Sequence, residues 1–562
     1  MEKEGPTQEA RQIENAVCEA VVEDAQDERP QPLTAKTVVL LMVCTYLGVA
    51  LVAFLNLQQT IVSSYFAQLF HLVGSGYLAR KIMATVGGQG DIVWITSILT
   101  ISLVVLGPPM SQGADYWGRK WPVVVLGLFS TVGCIIVSRA KSIGMILAAQ
   151  AIAGMAQASQ PLLHAITSEI IARRHRPVAQ IFNNIAAGLG GIVGLLVGGA
   201  LTLHNIEGWR TYWYIAAAIY ASSAAGAALL YNPPPRELQA HLSNTEKLRR
   251  LDWISYTLLL IGLTLFCVAL SWSQNPYLWS NAHINAPFIV SIIALLMLGC
   301  YSHFVKKDGL FHHGLFSVNR NFALAEVAIF AEGMSFFASN NYFSFQMTEL
   351  YGENQFRAAL AYAVGFFSYI VCTTCAGIYC SKSRSVRFPL MVAFTLFTVY
   401  HVLIATTTVN TSKNPWGYIV ILGLGLGIAL NALIVVAQLS TPVDLISTAS
   451  GLMISIRSLG GTVGLVIYNA VFNSVISSKL AENVFTAVMP FKLPPASAGS
   501  LIAALTAGEI TVAEHIPGVT PQIIAAASLA IRETFALAFR NVWISAASFT
   551  FLLCAVRSHF LL

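Results

Sequence analysis

The heptapeptide LGGIVGL at Leu189–Leu195 returns as LGGTVGL at Leu459–Leu465, and this internal repeat is the strongest indication of how the chain folds. Both copies lie in long apolar segments. Their glycines stand four residues apart, on one helix face, where a missing side chain lets a neighbouring helix approach closely. The predicted helix-packing residues are Gly190, Gly194, Gly198, Gly460 and Gly464. The repeat predicts two related halves, and generic small-residue packing without a common origin is the alternative.

The composition places the chain in a lipid bilayer. Of its 562 residues, 56% are hydrophobic and 10% are charged, whereas about a quarter of a soluble domain is charged. The mean hydropathy is +0.67, and apolar runs of about 20 residues, the length that crosses a bilayer, recur along nearly all of it. We therefore predict an all-α integral membrane protein, and the net charge of +6 does not imply a nucleic-acid partner.

Apolar runs between charged or proline-containing breaks predict fourteen transmembrane helices in three groups. A first six-helix bundle occupies 35–231, a linker with two extra helices occupies 232–316, and a second six-helix bundle occupies 317–562. Acidic residues outnumber basic ones in 1–34, which we expect to be a disordered cytosolic tail. The first predicted span is 37–60, and the proline-containing stretch 474–540 is predicted to be a large loop with short surface helices.

Lysine and arginine residues in the short loops predict the orientation. With fourteen spans, the basic loops at 119–120, 173–176, 236–250, 306–307 and 382–387 all fall on one side, which is then the cytosol. Both termini are cytosolic in this topology, and the 474–540 loop is not. Asn410 begins an Asn-Thr-Ser glycosylation acceptor on the same non-cytosolic side. We expect a plasma-membrane protein, with a vacuolar or vesicle membrane as the alternative.

A polar motif, SQGADYWGRK at Ser111–Lys120, follows the second predicted span. A carboxylate at a helix end can pair with a nearby arginine and with the positive N-terminus of another helix, forming a latch that breaks when two halves move apart. The stretch resembles the loop motif of the major facilitator superfamily, although Ser111 stands where that motif begins with glycine. The predicted latch residues are Asp115, Gly118, Arg119 and Lys120.

Several other stretches resemble one branch of this superfamily. The glycine-rich 190–199 resembles the antiporter motif of drug:proton exporters, with Leu195 in place of its proline. Those exporters carry an arginine in the fourth span where this chain has Gln150. The sequences LDW at 251–253, FSVNRNF at 316–322, EGM at 332–334 and IRSLGG at 456–461 are similar to the fungal trichothecene efflux pumps and siderophore-iron transporters. This resemblance implies a major facilitator fold of two six-helix bundles plus two extra helices.

Ionisable side chains within the predicted spans indicate where protons are coupled to transport. A charge at mid-bilayer costs about 3 kcal/mol or more, so such a residue usually faces the bundle interior. Glu332 and Arg457 lie about halfway along the ninth and thirteenth spans, and Glu326 lies one to two turns nearer the cytosol. We predict these three as the proton-coupling residues. A fixed structural ion pair between Glu332 and Arg457 is the alternative.

Aromatic and amide side chains near Glu332 are the predicted substrate-binding surface, since apolar faces with a few amides suit a large, partly oxygenated ligand. The residues are Phe336, Phe337, Asn340, Asn341, Tyr342 and Phe345, together with Asn183 and Asn184 in the fifth span. Packing is the alternative role for each. The CxxC pair Cys372 and Cys375 is flanked by apolar helix, so no metal or other cofactor is expected.

The chain has no phosphate-binding loop of the form GxxxxGK[ST], so an ion gradient is expected to drive it. The leading hypothesis is a monomeric, proton-coupled efflux pump for a bulky fungal secondary metabolite or toxin. Uptake of siderophore-bound iron is the alternative transport function. A non-transporting nutrient receptor is the alternative if the protein is not a transporter. An enzyme is not expected, because no nucleophile–base pair or metal-ligand cluster stands out.

Overall fold

The computed structural model describes residues 57–88, 92–170, 176–231, 243–272, 277, 280–306, 309–317, 320–383, 385–411, 415–442, 445–491, 493–507 and 510–556. The long elements in these ranges are α-helices, as the apolar composition predicts. The predicted tail at 1–34, and the predicted span at 37–60 except for its last four residues, lie outside the described residues.

The first half of the described chain forms seven helices: α1 (Leu57–Val86), α2 (Ile92–Trp117), α3 (Lys120–Arg139), α4 (Ile143–Ala153), α5 (Gln160–Ile170), α6 (Arg176–Leu201) and α7 (Gly208–Leu230). A 3-10 turn, Gly154–Ser159, joins α4 to α5. The Gln68 amide of α1 donates to the Ala156 carbonyl oxygen and to the Ser159 hydroxyl, both at 2.9 Å. These bonds satisfy groups that the change in helix type leaves without regular partners.

Two further long helices lie outside the central bundle. They are α9 (Trp253–Trp272) and α10 (Ala282–Cys300), preceded by the short α8 (Asn244–Arg250). Asp252 fixes the start of α9, because its two carboxylate oxygens accept from the backbone N–H groups of Ser255 (3.2 Å) and Leu310 (3.0 Å). Helix α9 packs on α2 and on a helix of the second half, and α10 packs on α9. Two long apolar helices therefore lie in the stretch where the sequence predicts the extra pair.

The second half forms α11 (His313–Ser317), α12 (Asn321–Tyr351), α13 (Gln355–Ser383), α14 (Arg387–Ala405), α15 (Pro415–Leu439), α16 (Ile446–Val488), α17 (Pro495–Ala507), α18 (Ile510–Glu514) and α19 (Pro521–Val556). We call the end of the molecule where α2 meets α3 the inner end. The end where α12 meets α13 is the outer end. The sequence predicts that the inner end faces the cytosol.

The repeated glycines make equivalent contacts in the two halves. In α6, a Cβ atom on Gly190 would press on the Phe66 carbonyl oxygen of α1, and Gly194 and Gly198 continue along the same helix. In α16, a Cβ atom on Gly460 would overlap the Phe330 carbonyl oxygen of α12, and one on Gly464 would press on Met334. Each copy of the repeat thus brings two helices of its own half into backbone contact.

Twelve helices among the described residues are long and apolar enough to cross a membrane. Helix α1 and the pair α4–α5 are not among these twelve, yet both pack within the first bundle. No transmembrane span is predicted over 61–86, whereas the structure has helix α1 there. The total of fourteen spans stays a prediction.

The stretch 474–540, predicted to be a large loop with short surface helices, is largely helical. Helix α16 continues to Val488, and α19 begins at Pro521, so the irregular connection shrinks to the residues between them. Short helices α17 and α18 lie in that connection. A small apolar core of its own holds the segment together, formed by residues that include Val484, Val488, Leu501, Ala513, Ile523, Ala527 and Ile531. The side of the membrane on which it lies stays a prediction.

The two halves meet along two helix pairs. Helix α2 packs on α16, and α6 packs on α13. Gly188 and Gly191 of α6 lie against Ile370 and Phe366 of α13, where a Cβ atom would overlap the apolar side chain. Helices α1 and α12, which carry the glycine contacts within each half, face each other across the centre. Side chains from both halves therefore surround one central space.

Candidate functional site

A buried ion pair lies in the second half of the molecule. The Arg457 guanidinium donates through Nε to Glu332 Oε2 at 2.6 Å and through Nη2 to Glu332 Oε1 at 2.9 Å. Glu332 is 0% exposed and Arg457 is 5% exposed. The guanidinium carbon also lies 4.9 Å from the centre of the Phe336 ring. The geometry is bidentate and charge-assisted, the strongest arrangement that the two groups can make.

A glycine lets the two charged helices approach closely enough to form this pair. Gly333 follows Glu332 on α12, and a Cβ atom there would overlap the Arg457 carbonyl oxygen. The EGM stretch therefore supplies both the carboxylate and the space that its partner helix needs. A side chain at position 333 would push α16 away and lengthen the ion pair.

The ion pair forms one wall of a small central cavity. The lining comes from both halves of the chain: Tyr65, Leu69, Ala187, Glu332, Phe336, Phe366, Tyr369, Leu426, Leu430 and Arg457. Apart from the ion pair, two tyrosines supply the polar atoms and the rest is aliphatic or aromatic. Such a lining suits an apolar molecule with a few polar groups.

The halves touch on both sides of this cavity. Toward the outer end, the Tyr77 hydroxyl of α1 donates to the Gln355 carbonyl oxygen at the start of α13, at 2.6 Å. Toward the inner end, the Asn184 amide of α6 donates to the Thr373 hydroxyl of α13 at 3.1 Å. Contacts between the halves therefore flank the cavity in both directions.

Glu326 lies on α12, about 9 Å nearer the inner end than Glu332 at 1.5 Å per helical residue. It is 5% exposed, and neither carboxylate oxygen has a hydrogen-bond partner among the described residues. It shares a helix stripe with Phe330, Gly333 and Phe337, whose contacts are with α16. An unpaired charge between two packed helices is costly, and the role of Glu326 in proton coupling stays a prediction.

The aromatic and amide run predicted to bind substrate is spread around α12. Phe336 lines the central cavity. Phe337 packs on Gly461 of α16, and Asn340 packs on Gly76 of α1. Asn341 accepts a hydrogen bond from the Thr96 hydroxyl at 3.2 Å.

The last two residues of this run, Tyr342 and Phe345, lie in an aromatic cluster with Phe472 near the outer end. The cavity lining thus includes Phe336 but not the other members of the run. A substrate role for those members stays a prediction.

The two predicted binding residues of α6 have different partners. Asn183 stays within the first half, where its amide donates to the Thr167 hydroxyl (3.1 Å) and to Gln180 (3.2 Å). Asn184 instead reaches across to Thr373. Asn184 is therefore a contact between the halves, and its role in binding stays a prediction.

The position that carries an arginine in drug:proton exporters is Gln150 in this chain, and Gln150 belongs to a hydrogen-bonded network. Gln150 of α4 accepts from His71 Nε2 at 3.0 Å, and His71 Nδ1 accepts from the Tyr220 hydroxyl at 3.1 Å. All three residues are buried within the first half. The charged pair of the second half, rather than this network, lines the cavity.

The predicted latch motif lies at the inner end. Asp115 and Arg119 form an ion pair at 3.4 Å, and Gly118 has φ 88°, a conformation that glycine adopts most readily. The Lys120 ammonium lies 5.8 Å from the centre of the Trp121 ring. Ser111, which replaces the first glycine of the motif, is accommodated because it faces Gly451 of α16, where a Cβ atom would lie 2.6 Å from its hydroxyl oxygen.

Sequence reasoning missed several cavity residues because they come from helices far from Glu332. Tyr65 and Leu69 are on α1, Phe366 and Tyr369 are on α13, and Leu426 and Leu430 are on α15. Spacings of three and four residues place each pair on one helix face, and this spacing is the sequence feature that could have indicated them. No group of three or more His, Cys, Asp or Glu residues suited to a metal ion is present in the described part of the chain.

Two half-bundles with equivalent glycine contacts, closed around a central charged cavity, define a membrane carrier of the secondary-transporter class. The chain belongs to the major facilitator superfamily, whose family model matches residues 38–465. This match confirms the resemblance that the sequence indicated and the all-α major facilitator fold, whereas the total of fourteen spans stays a prediction.

Curated relatives agree with this family, and a solved structure has the same fold. A transporter of the acurin A biosynthesis cluster of Aspergillus aculeatus is 25% identical over 405 residues, covering 72% of this chain and 72% of the relative. A trichothecene efflux pump of Fusarium sporotrichioides is 20% identical over 501 residues, covering 87% and 82%. A bacterial homologue of the lysosomal transporter Spinster, in an inward-facing and occupied conformation, superimposes with a TM-score of 0.54 at 14% identity, covering 88% and 96%.

Proposed function

We propose that the protein is a proton-coupled secondary transporter that exports a bulky, largely apolar secondary metabolite. One relative is named as a trichothecene efflux pump and another as a transporter of the acurin A biosynthesis cluster, and both names support the proposal. The buried Glu332–Arg457 pair in the cavity wall carries this proposal. Export is preferred to uptake of an iron chelate because the relatives are named as efflux pumps and cluster transporters. The protein acts as a monomer in the plasma membrane.

The chemistry of the pair explains how protons and substrate are linked. While Glu332 is ionised, Arg457 holds it with two hydrogen bonds. A proton on Glu332 removes the charge attraction and frees the guanidinium to turn toward a substrate oxygen in the cavity. Glu326, buried on the same helix without a hydrogen-bond partner among the described residues, supplies a second proton-binding group between the cavity and the inner end.

Transport by reconstituted full-length protein tests the proposal. Proteoliposomes receive an imposed pH gradient and a panel of labelled lipophilic metabolites that begins with a trichothecene, and uptake is followed with and without nigericin, which collapses the gradient. We expect at least one probe to accumulate against its own gradient, and only while the pH gradient lasts. Accumulation that persists after nigericin would contradict proton coupling.

A further inference from the structure

A cation from the first half lies on an aromatic ring of the second half at the outer end. The guanidinium carbon of Arg80, on α1, is 3.2 Å from the centre of the Phe345 ring on α12. Two hydrogen bonds flank this contact between the halves. Tyr77 donates to the Gln355 backbone, and Thr96 donates to the amide oxygen on α12 described above.

Phe345 is part of an aromatic cluster that belongs entirely to the second half. Its ring centre lies 5.7 Å from that of Phe472 on α16, and 6.0 and 5.0 Å from those of Phe535 and Phe539 on α19. Phe345 is 8% exposed. A stacked cation with little access to water gains the most from a ring face. Arg80 thus brings the first half into direct contact with this cluster.

Two features of α12 strengthen the position of Arg80. Tyr342 and Glu349 both lie within electrostatic reach of its guanidinium, and Glu349 stands one helical turn beyond Phe345. Arginine also suits the role better than lysine, because its planar group stacks flat on a ring. The contact therefore combines stacking with attraction from a carboxylate nearer the outer surface.

We propose that Arg80 and Phe345 form an outer latch, a cation–π contact that holds the two halves together at the outer end in this structure and breaks whenever that end opens. This inference rests on the proposed transport function. Opening returns the guanidinium to water and leaves behind a neutral ring and the exposed carboxylate of Glu349, so no buried charge loses its partner. A salt bridge at the same place would leave a carboxylate in the apolar cluster, at a much higher cost.

The distance between two spin labels at the outer end tests the latch without any ligand. The native cysteines are replaced, and His204→Cys in the α6–α7 turn is paired with Asn410→Cys after α14, since both side chains are exposed at this end. Double electron–electron resonance is recorded on full-length protein in lipid nanodiscs. A second pair, Trp121→Cys with Lys382→Cys, reports the inner end.

We expect Arg80→Ala to shift the ratio of open to closed outer distances about 30-fold, which corresponds to about 2 kcal/mol at 1.4 kcal/mol per tenfold. Lys81→Ala is the matched control, because it removes the neighbouring cation on the same helix, and it should give the wild-type distribution. Phe345→Leu should act like Arg80→Ala. The double variant should show no additional shift, because both changes remove one contact.

An unchanged outer distance in Arg80→Ala, or an equal shift in Lys81→Ala, would overturn the latch. If Arg80→Ala does not fold, Arg80→Lys and Phe345→Leu replace it, and wild-type distances in both would have the same meaning. Failure of the latch can be distinguished from failure of the proposed function. A wild-type protein that transports while Arg80→Ala keeps its distances contradicts the latch alone, whereas a wild type with no gradient-driven transport contradicts the function.

Discussion

Replacing Arg457 with methionine should destabilise the protein by about 3–5 kcal/mol, the cost of breaking a buried ion pair by removing one partner. The change removes hydrogen bonds of 2.6 and 2.9 Å and leaves Glu332, which is 0% exposed, without its cation. Adding Glu332→Gln should recover most of this loss, because no uncompensated charge then remains. The two changes are therefore strongly non-additive.

The free energy of unfolding can be measured by titrating SDS into detergent micelles of the full-length protein, with tryptophan fluorescence as the signal. Arg357→Met is a matched control. Arg357 pairs with Glu353 at 3.6 Å, but its side chain is 63% exposed, so its loss should cost less than about 1 kcal/mol. If Arg457→Met cost no more than Arg357→Met, the bidentate pair would not have the strength that its geometry indicates.

Three other predictions concern the latch motif, the repeat and the topology. Asp115→Asn should leave the protein in the membrane but lower the transport rate strongly, because it weakens an inner-end contact rather than the core; a normal rate per inserted molecule would contradict this role. Gly460→Ala should reduce the yield of folded protein, measured by size-exclusion chromatography, because a Cβ atom there would overlap backbone of α12, whereas Gly499→Ala, which faces open space, should not. A tag inserted near Ser500 should be accessible to antibody on intact cells or from the organelle lumen, and a cytosolic tag would mean an odd number of miscounted helices.

The central ion pair and the glycine contacts were predictable from local sequence. A carboxylate and an arginine in the middle of apolar spans both require partners. Pairing them with each other removes the cost of two unpaired charges at once. The substrate surface was less predictable because consecutive residues of a helix point about 100° apart. A continuous run such as 336–345 therefore surrounds α12 instead of lining one space.

Helix α1 was missed because its polar residues lower its hydropathy. Gln68, His71 and Arg80 find partners within the bundle, on the α4–α5 turn, on Gln150 and on Phe345. Mean hydropathy counts the polar side chains but not the hydrogen bonds and stacking contacts that satisfy them, since those partners are remote in sequence.

The extension of α16 and the start of α19 within 474–540 were not predicted, for a different reason. On sequence alone Pro495 and Pro521 indicate a loop, yet each begins a helix, where the fixed φ of proline fits and its missing N–H costs nothing. Proline is typical both of a loop and of the first turn of a helix, so it does not distinguish the two. Only the packing of the small apolar core around Val484 decides that helices follow.

The most direct test of the account is uphill transport by the Glu332→Gln/Arg457→Met double variant. A probe that the wild type accumulates is offered to proteoliposomes of folded double variant under the same pH gradient. If Glu332 couples proton movement to transport, the variant should let the probe equilibrate but not accumulate. Accumulation equal to that of the wild type would contradict the coupling role of Glu332 and leave the pair a structural feature.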